Sequence, residues 1–335
     1  MHIKLKTEYL IAGYGKGTTQ KVVLDSINLT AEQGNLIALT GKNGVGKSTF
    51  LKTVVGLIPR ISGNILINQI DLQDINNIEK SKLISFAGTG NEINKSLKVK
   101  DFVALGRFPY TNVFGTLKDD DFKIINQSME DTRITHLAEN KMSEISDGEF
   151  QRTQIARTLA QDTPIILLDE PTAYLDMANK FEMTGLMRRL SRNKNKIIIF
   201  STHDLYVVLG TVDIMWLIDN KTIISEIPEE LVLNGKLDNF FDNTQTTFDI
   251  KNNKCRLNFT PRFNVKLAGE PSICNWTEKA LNRLDIACID DDLCPKITVS
   301  KIDNYYCWQF SESENNHKFN SLKELLKFIH IYQLR

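Results

Sequence analysis

The sequence lacks the features that mark a membrane-spanning or secreted protein. No run of about eighteen apolar residues occurs, because the best candidate, residues 197–218, is interrupted by His203, Asp204 and Asp213. Residues 1–17 (MHIKLKTEYLIAGYGKG) have neither the apolar stretch nor the small-residue cleavage site of a secretory signal. The sequence therefore predicts a cytoplasmic protein with no membrane span of its own.

Paired cysteines and an excess of one charge are also absent. The five cysteines are odd in number, contain no CxxC pair and lie between Cys255 and Cys307, which favours free thiols over a zinc site or a disulfide framework. Lys and Arg total 41, as do Asp and Glu, so the chain has no basic footprint for nucleic acid. Its length of 335 residues allows one large domain and a smaller one.

Strand-like and helix-like segments alternate along most of the chain. Ile3–Leu10 and Lys21–Leu29 resemble antiparallel strands, because their connection is too short for a crossover helix. Apolar runs typical of buried parallel strands follow at 35–40, 164–169, 196–202 and 214–219. Helical patterns separate these runs at 47–57 and 149–161. The alternation predicts an α/β core.

A polar segment at 241–254 precedes a second α/β pattern, so we predict domains at 1–256 and 257–335. The second domain is predicted to contain a strand at 264–268, a helix at 276–284, a hairpin of 295–302 and 305–310, and a helix at 321–332. We expect Trp276 and Trp308 to pack in its core. We recognise no group of catalytic or metal-binding residues in the second domain. Our hypothesis is that it has a regulatory or dimer-bracing role.

The sharpest motif is a GxxxxGKS sequence that follows an apolar strand and opens a helix. It comprises Gly41, Lys42, Asn43, Gly44, Val45, Gly46, Lys47 and Ser48, with Thr49 next. Such a loop turns backbone N–H groups toward phosphates, and the helix dipole adds positive potential. Lys47 can reach the β- and γ-phosphates, and the Ser48 hydroxyl suits Mg²⁺. The motif predicts that the chain binds the phosphates of a nucleotide together with Mg²⁺.

Two acids end the apolar run at 165–168. In a phosphate-loop ATPase, Asp169 would hold Mg²⁺ and Glu170 would polarise the attacking water. His203 is the one histidine at the end of a predicted parallel strand, where ligand crevices form in open α/β sheets. We therefore predict catalytic roles for Lys47, Glu170 and His203.

Residues 145–152, ISDGEFQR, resemble the LSGGQ signature of ATP-binding cassette (ABC) ATPases and lie just upstream of the acid-ended run. Tyr14 resembles the aromatic that stacks on adenine, 173–176 (AYLD) resembles the D-loop, and 201–204 (STHD) resembles the switch-histidine segment. The resemblance implies an ABC-type P-loop ATPase with a parallel core sheet, an antiparallel N-terminal β-subdomain and a helical subdomain. To these the chain adds a small C-terminal α/β extension.

In the ABC family, two subunits pair head to tail, and each ATP lies between one phosphate loop and the partner's signature. The resemblance therefore implies a homodimer. It also implies ATP contacts from Tyr14, Ser146, Gly148, Glu149 and Asp176.

Two positions depart from the family pattern. Thr89 stands where the family has a Gln, and we expect its shorter side chain to reach Mg²⁺ or water. Asp147 replaces the first glycine of the signature. Because a carboxylate there would repel the γ-phosphate, we expect Asp147 to point away from the nucleotide.

Residues 103–110, VALGRFPY, resemble the ALGR-P segment of ATPase subunits that serve iron-siderophore, haem and cobalamin importers. The resemblance implies that this helical region contacts the permease. An ordinary helix end stopped by Pro109 is the alternative. The resemblance implies an ATP-hydrolysing importer subunit, peripheral on the inner face of the membrane. Its partners would be a membrane permease and an extracytoplasmic substrate-binding protein.

Two other classes remain as alternatives. A soluble ABC ATPase acting on nucleic acid or ribosomes is disfavoured by the single motif set, the lack of heptad arms and the zero net charge. We therefore expect no nucleic-acid partner. A phosphate-loop kinase with a coincidental signature is disfavoured by the ordered series of motifs.

Overall fold

The structure is a computed structural model. It describes residues 3–15, 17–88, 94–237, 246–249, 254–302, 305–312 and 315–332. Thr89, one of the predicted metal-site residues, lies outside these ranges. The chain separates into two compact units: Met1–Phe240 with Ile250–Lys254, and Phe241–Asp249 with Cys255–Arg335.

The larger unit contains ten strands and eight α-helices among its described residues. The strands are β1 (Lys4–Tyr14), β2 (Lys21–Glu32), β3 (Leu36–Thr40), β4 (Ser62–Ile67), β5 (Ile70–Asp71), β6 (Ile84–Ala87), β7 (Ile165–Leu168), β8 (Ile197–Thr202), β9 (Ile214–Asp219) and β10 (Thr222–Glu226). The helices are α1 (Lys47–Val54), α2 (Asn77–Leu83), α3 (Val99–Ala104), α4 (Asp119–Asp131), α5 (Asp147–Ala160), α6 (Met177–Asn193), α7 (Leu205–Leu209) and α8 (Pro228–Leu233).

A six-stranded sheet forms the centre of this unit, in the order β10-β9-β3-β8-β7-β6. Strands β9, β3, β8, β7 and β6 run parallel, and β10 adds an antiparallel edge through a hairpin. Every residue of β3, β7 and β8 is buried, as expected of parallel strands covered on both faces. The predicted parallel core is confirmed.

The two predicted subdomains are also present. Strands β2, β1, β4 and β5 form an antiparallel sheet in that order. Helices α3, α4 and α5 pack around a separate apolar core. That core includes Val99, Phe102, Ile125, Met129 and Ala156. The antiparallel N-terminal subdomain and the helical subdomain are therefore both confirmed.

The smaller unit contains a five-stranded sheet packed with two helices, and its first two strands pair as a separate two-stranded sheet. The strands are β11 (Thr246–Asp249), β12 (Lys254–Leu257), β13 (Phe263–Gly269), β14 (Ile286–Cys288), β15 (Lys296–Ile302), β16 (Tyr305–Glu312) and β17 (Asn315–Phe319). The helices are α9 (Pro271–Asn282) and α10 (Leu322–Tyr332). The sheet order is β14-β13-β15-β16-β17, and both helices contribute to its core. The predicted hairpin is β15–β16.

The two tryptophans of this unit differ in burial. Trp308 is buried and its Nε1 donates to Thr277 Oγ1 over 2.9 Å, as the core prediction requires. The prediction for Trp276 is wrong, because its side chain is 67% exposed. Trp276 lies beside the inward stripe of α9, and the Lys279 ammonium sits 4.1 Å from its ring centroid. A cation–π contact thus holds the indole at the surface.

Across the described ranges, no helix is both long enough and apolar enough to cross a bilayer. Cys274, Cys294 and Cys307 are partly buried free thiols.

Candidate active site

The phosphate loop, residues 41–46, connects β3 to α1 at the carboxyl edge of the central sheet. Gly44 and Gly46 have φ angles of 77° and 118°, in the region that favours glycine. A Cβ on Gly46 would come within 2.6 Å of Val23 Cγ1. No side chain of the described residues caps α1, so its first backbone N–H groups are available for a phosphate.

Lys47 begins α1, and its side chain folds back across the loop. Its Nζ donates to the Gly41 carbonyl over 3.0 Å and lies 3.7 Å from Glu170 Oε1. The Lys47 side chain is only 7% exposed. A longer bond of 3.5 Å goes to the Lys42 carbonyl, so two loop carbonyls and one carboxylate hold the ammonium against the phosphate loop.

Tyr14 ends β1 beside α1. Its phenol oxygen lies 2.8 Å from Thr49 Oγ1, and the residue is half exposed. The hydrogen bond fixes the ring next to the first turn of the phosphate-loop helix. An exposed, oriented ring at this place can stack on a planar base.

Asp169 follows β7 and is almost fully buried. Its Oδ1 accepts hydrogen bonds from Ser48 Oγ at 3.0 Å and from Ser201 Oγ at 2.6 Å. The hydroxyl of the phosphate loop and the first acid, which are both predicted Mg²⁺ ligands, are therefore in direct contact. Sequence reasoning missed the contact of Ser201, although a small polar residue within a buried apolar strand is a usable signal.

Glu170 lies between a lysine and a histidine. Its Oε2 is 3.2 Å from His203 Nδ1, and its Oε1 faces Lys47. Its backbone N–H donates to Ser201 Oγ over 2.8 Å. The structure thus brings together Lys47 and the residues at the ends of β7 and β8 that the sequence singles out.

The signature segment forms the start of α5. The helix begins at Asp147, two residues before the predicted start, because Ser146 caps it. The Glu149 carboxylate accepts from both the N–H and the hydroxyl of Ser146, each over 2.8 Å. These two bonds lower the pKa of Glu149. Asp147 is exposed, and Gly148 follows it in the first turn.

Other predicted nucleotide contacts lie apart from this cluster. Asp176 caps α6 by accepting from Asn179 N over 2.8 Å. Among the described residues, no hydrogen bond or ion pair joins Asp176 or the signature to the phosphate loop or to the two acids. A single chain therefore divides the predicted ATP contacts into two separate groups.

Comparison with known proteins identifies the family. Residues 24–173 match the ABC transporter family. An ABC transporter ATP-binding protein of Methanocaldococcus jannaschii is 35% identical over 257 residues, which cover 74% of this chain and 87% of that protein. The chain belongs to the ABC transporter ATP-binding proteins. The sequence-based identification is confirmed, and the protein is an ATPase of this family.

Further matches extend to both units of this ABC ATPase. Residues 262–330 match the iron ABC transporter C-terminal domain. The iron(3+)-hydroxamate import ATP-binding protein FhuC of Bacillus subtilis is 35% identical over 60% of this chain and 73% of its own length. The dimeric bacterial ABC transporter cassette MJ0796 superposes with a TM-score of 0.58 at 24% identity, over 67% of this chain and 98% of that one.

Proposed function

We propose that this ABC ATPase hydrolyses ATP to drive import of a ferric siderophore, haem or cobalamin through a separate membrane permease. The observation that carries the ATPase part is the cluster of Lys47, Asp169, Glu170 and His203 beside the phosphate loop. The cargo class is supported by the iron-transporter match at 262–330 and by the name of FhuC. The protein would act at the cytoplasmic face of the membrane.

The phosphate loop accounts for triphosphate binding. The free N–H groups at the start of α1 and the Lys47 ammonium would face the β- and γ-phosphates. To reach them, Nζ must exchange the Gly41 carbonyl for phosphate oxygens, which charge attraction favours. Tyr14 would stack on the adenine, and residues 42–49 would line the phosphates.

The Ser48 hydroxyl and the Asp169 carboxylate supply the hard oxygen donors that Mg²⁺ prefers. Thr89 is a third candidate from the sequence. When bound, Mg²⁺ would neutralise charge on the phosphates. The chain's own contribution is to hold these two oxygens within 3.0 Å of each other.

Glu170 is positioned to act on the attacking water. Its carboxylate would accept a proton from water as the water oxygen bonds to the γ-phosphorus, while the bond to the ADP oxygen breaks. His203 holds Glu170 Oε2 at 3.2 Å, so the base keeps a fixed direction. Lys47 offsets the charge that develops on the phosphates.

A second copy would complete each nucleotide site. The start of α5, with Ser146, Gly148 and Glu149, makes no bonded contact with its own phosphate loop, as described above. A fourteen-residue helix carries positive potential at this end. We infer that two subunits pair head to tail, so that the signature and Asp176 of one face the ATP of the other. The dimeric MJ0796 cassette supports this arrangement.

An apolar patch on the helical subdomain suits a permease. We define the docking patch as Leu105, Phe108, Val113, Phe114 and Phe122, which are all exposed. Scattered single exposed apolar residues are ordinary, but a group of large ones in one short segment is typical of an interaction surface. Phe108 and Leu105 belong to the ALGR-P segment that the sequence relates to permease contact.

The same segment is bonded to the signature helix. Arg107 Nη1 donates to the Ala160 carbonyl over 2.9 Å, and the Tyr110 hydroxyl donates to the Gln161 carbonyl over 3.1 Å. Both carbonyls lie at the end of α5 opposite the signature. A permease that moves the docking patch would therefore move the signature helix with it.

We also propose that residues 1–256 form the ATPase domain and that 257–335 form a regulatory or dimer-bracing extension. An extracytoplasmic binding protein would deliver the cargo to the permease. Deletion of 257–335 tests the extension, because a bracing role predicts weaker ATP-driven dimerisation. Unchanged dimerisation and turnover in the truncated chain would contradict that role.

The function is tested by reconstituting the chain with its co-purified permease in lipid vesicles. We expect ATP-dependent uptake of one cargo among ferric siderophores, haem and cobalamin, together with permease-stimulated ATP turnover. In Phe108→Glu, turnover should fall to the level of the isolated subunit, because a charge replaces an apolar contact. Leu233→Glu, an exposed leucine in α8, is the matched control. Absence of permease association would contradict the proposal.

A further inference from the structure

A buried serine joins the two acids of the active site. Ser201 is the penultimate residue of β8 and is fully buried. We propose that Ser201 is a positioning residue that fixes both Asp169 and Glu170 for ATP hydrolysis, an inference that rests on the proposed function of this site. Its hydroxyl donates to Asp169 Oδ1 over 2.6 Å and accepts from the Glu170 N–H over 2.8 Å.

The sheet register brings Ser201 to this place. Strands β7 and β8 pair in parallel with Leu168 opposite Phe200. The next residue of each strand is therefore Asp169 on one side and Ser201 on the other. Most buried hydroxyls find hydrogen-bond partners inside the protein. Here both its donor and its acceptor capacity are used, and both partners belong to the catalytic acids.

The bond to Asp169 acts on the orientation of its carboxylate. Oδ1 accepts from two hydroxyls, Ser48 Oγ and Ser201 Oγ, and the bond from Ser201 is the shorter. The Ser48 hydroxyl is the one that the phosphate-loop motif assigns to Mg²⁺. When Ser48 is engaged by the metal, Ser201 would be the donor that still fixes the orientation of the Asp169 carboxylate. Partners of this kind orient metal-binding side chains and tune their affinity.

The bond to Glu170 acts on its backbone. Glu170 has a φ of 51°, in the left-handed region that non-glycine residues adopt at a cost. This conformation persists only where surrounding groups fix it, and Ser201 Oγ holds the Glu170 N–H. From this backbone the carboxylate extends to His203 Nδ1 at 3.2 Å and to Lys47 Nζ at 3.7 Å. Release of the peptide would let the base turn away from the water it activates.

The experiment compares Ser201→Ala, Ser201→Thr and the control Ser191→Ala. Ser191 in α6 is equally buried, and its hydroxyl donates to the Arg188 carbonyl, away from the site. For each protein we would measure kcat, KM for ATP, the Mg²⁺ concentration for half-maximal turnover, ATP affinity without Mg²⁺, and the thermal shift that Mg²⁺ adds to the ATP-bound protein.

For Ser201→Ala we expect kcat to fall and the half-saturating Mg²⁺ to rise, each by roughly 10- to 100-fold, the usual effect of removing a group that orients a metal ligand. The thermal shift from Mg²⁺ should shrink, while ATP affinity without Mg²⁺ stays unchanged. Ser201→Thr, which keeps a hydroxyl, should restore most of the turnover, and Ser191→Ala should resemble the wild type.

Three results would overturn the positioning role. The first is a Ser201→Ala protein with wild-type kcat and Mg²⁺ dependence. The second is an equal loss in Ser201→Ala and Ser191→Ala. The third is a loss of metal-free ATP affinity as large as the loss of kcat, which would indicate general damage to the fold. If Ser201→Thr does not fold, the comparison of the two alanine variants decides. A wild-type chain without ATPase activity would overturn the proposed function instead.

Discussion

Replacement of Glu170 by Gln separates the charge of this residue from its shape. The amide keeps the size of the side chain but cannot accept a proton from water. Loss of a general base lowers turnover by about 10²- to 10⁴-fold. This corresponds to about 3–5 kcal/mol in activation free energy. Glu170→Gln should therefore bind ATP and dimerise but hydrolyse slowly.

The same substitution should tighten ATP binding. Glu170 Oε1 lies 3.7 Å from Lys47 Nζ, with side chains that are 19% and 7% exposed. Two unit charges at about 4 Å interact by about 4 kcal/mol at an effective dielectric constant of about 20. That attraction competes with the triphosphate for Lys47, and hydration offsets most of it. If about one third of this interaction energy is left after hydration, its loss in Glu170→Gln corresponds to about tenfold higher affinity for ATP.

Equilibrium titration with ATP, single-turnover hydrolysis and size-exclusion chromatography check the two effects. Lys47→Ala serves as a contrasting variant, because it should lose both ATP affinity and ATP turnover. Glu139→Gln, on the surface of the helical subdomain, controls for the amide substitution. Turnover within tenfold of wild type, or weaker ATP binding by Glu170→Gln, would refute the assigned charge geometry. A variant that stays monomeric with saturating ATP would refute the head-to-tail dimer.

Substitutions at three further positions have defined outcomes. Tyr14→Ala should weaken ATP binding by about tenfold through the lost ring contact, whereas Tyr14→Phe should not, as titration would show. Arg107→Ala leaves the buried Asp121 carboxylate unpaired and should cost about 3 kcal/mol, which a melting curve would detect. The Lys118 N–H and the Arg107 guanidinium lower the pKa of Asp121. The stabilisation that the ionised carboxylate gives the folded protein is therefore present at neutral pH and is lost as the pH falls through the lowered pKa. The loss of stability in Arg107→Ala should accordingly shrink in acid. Asp147→Gly should leave ATP-driven dimerisation nearly unchanged, because Asp147 is exposed, and a large gain in dimer affinity would contradict this.

The parts of the fold that the sequence predicts correctly depend on local patterns. The runs that become β3, β7 and β8 are continuous and largely apolar, so their composition alone predicts strands that are buried on both faces of the sheet. The acids and His203 follow these runs directly, and the carboxyl ends of parallel strands meet at one edge. The phosphate-loop cluster is predictable for this reason.

Features that depend on side-chain direction could not be predicted in the same way. The ALGR-P segment indicates a docking region, but only the structure separates its residues: Arg107 is buried against Asp121, while its neighbour Phe108 is exposed. Trp276 was expected in a core and lies on the surface. Ser201 falls within an apolar run, and its partners are defined by the register of β7 and β8.

Hydrogen bonds of the helical subdomain connect the proposed permease contact to the strands that lie beside the two proposed catalytic acids. At the carboxyl end of α5, Arg107 joins the docking patch to the Ala160 carbonyl. One turn earlier, Arg157 Nη2 donates to the Phe86 carbonyl of β6 over 3.1 Å. Phe86 pairs with Leu167 of β7, two residues before Asp169. The fourteen residues of α5 span about 21 Å, so in the proposed dimer one rigid helix would reach both the partner's nucleotide and the strand beside its own acids. These bonds define where coupling must be sought, since a motion of the docking patch that left both ends of α5 unmoved would have to break them.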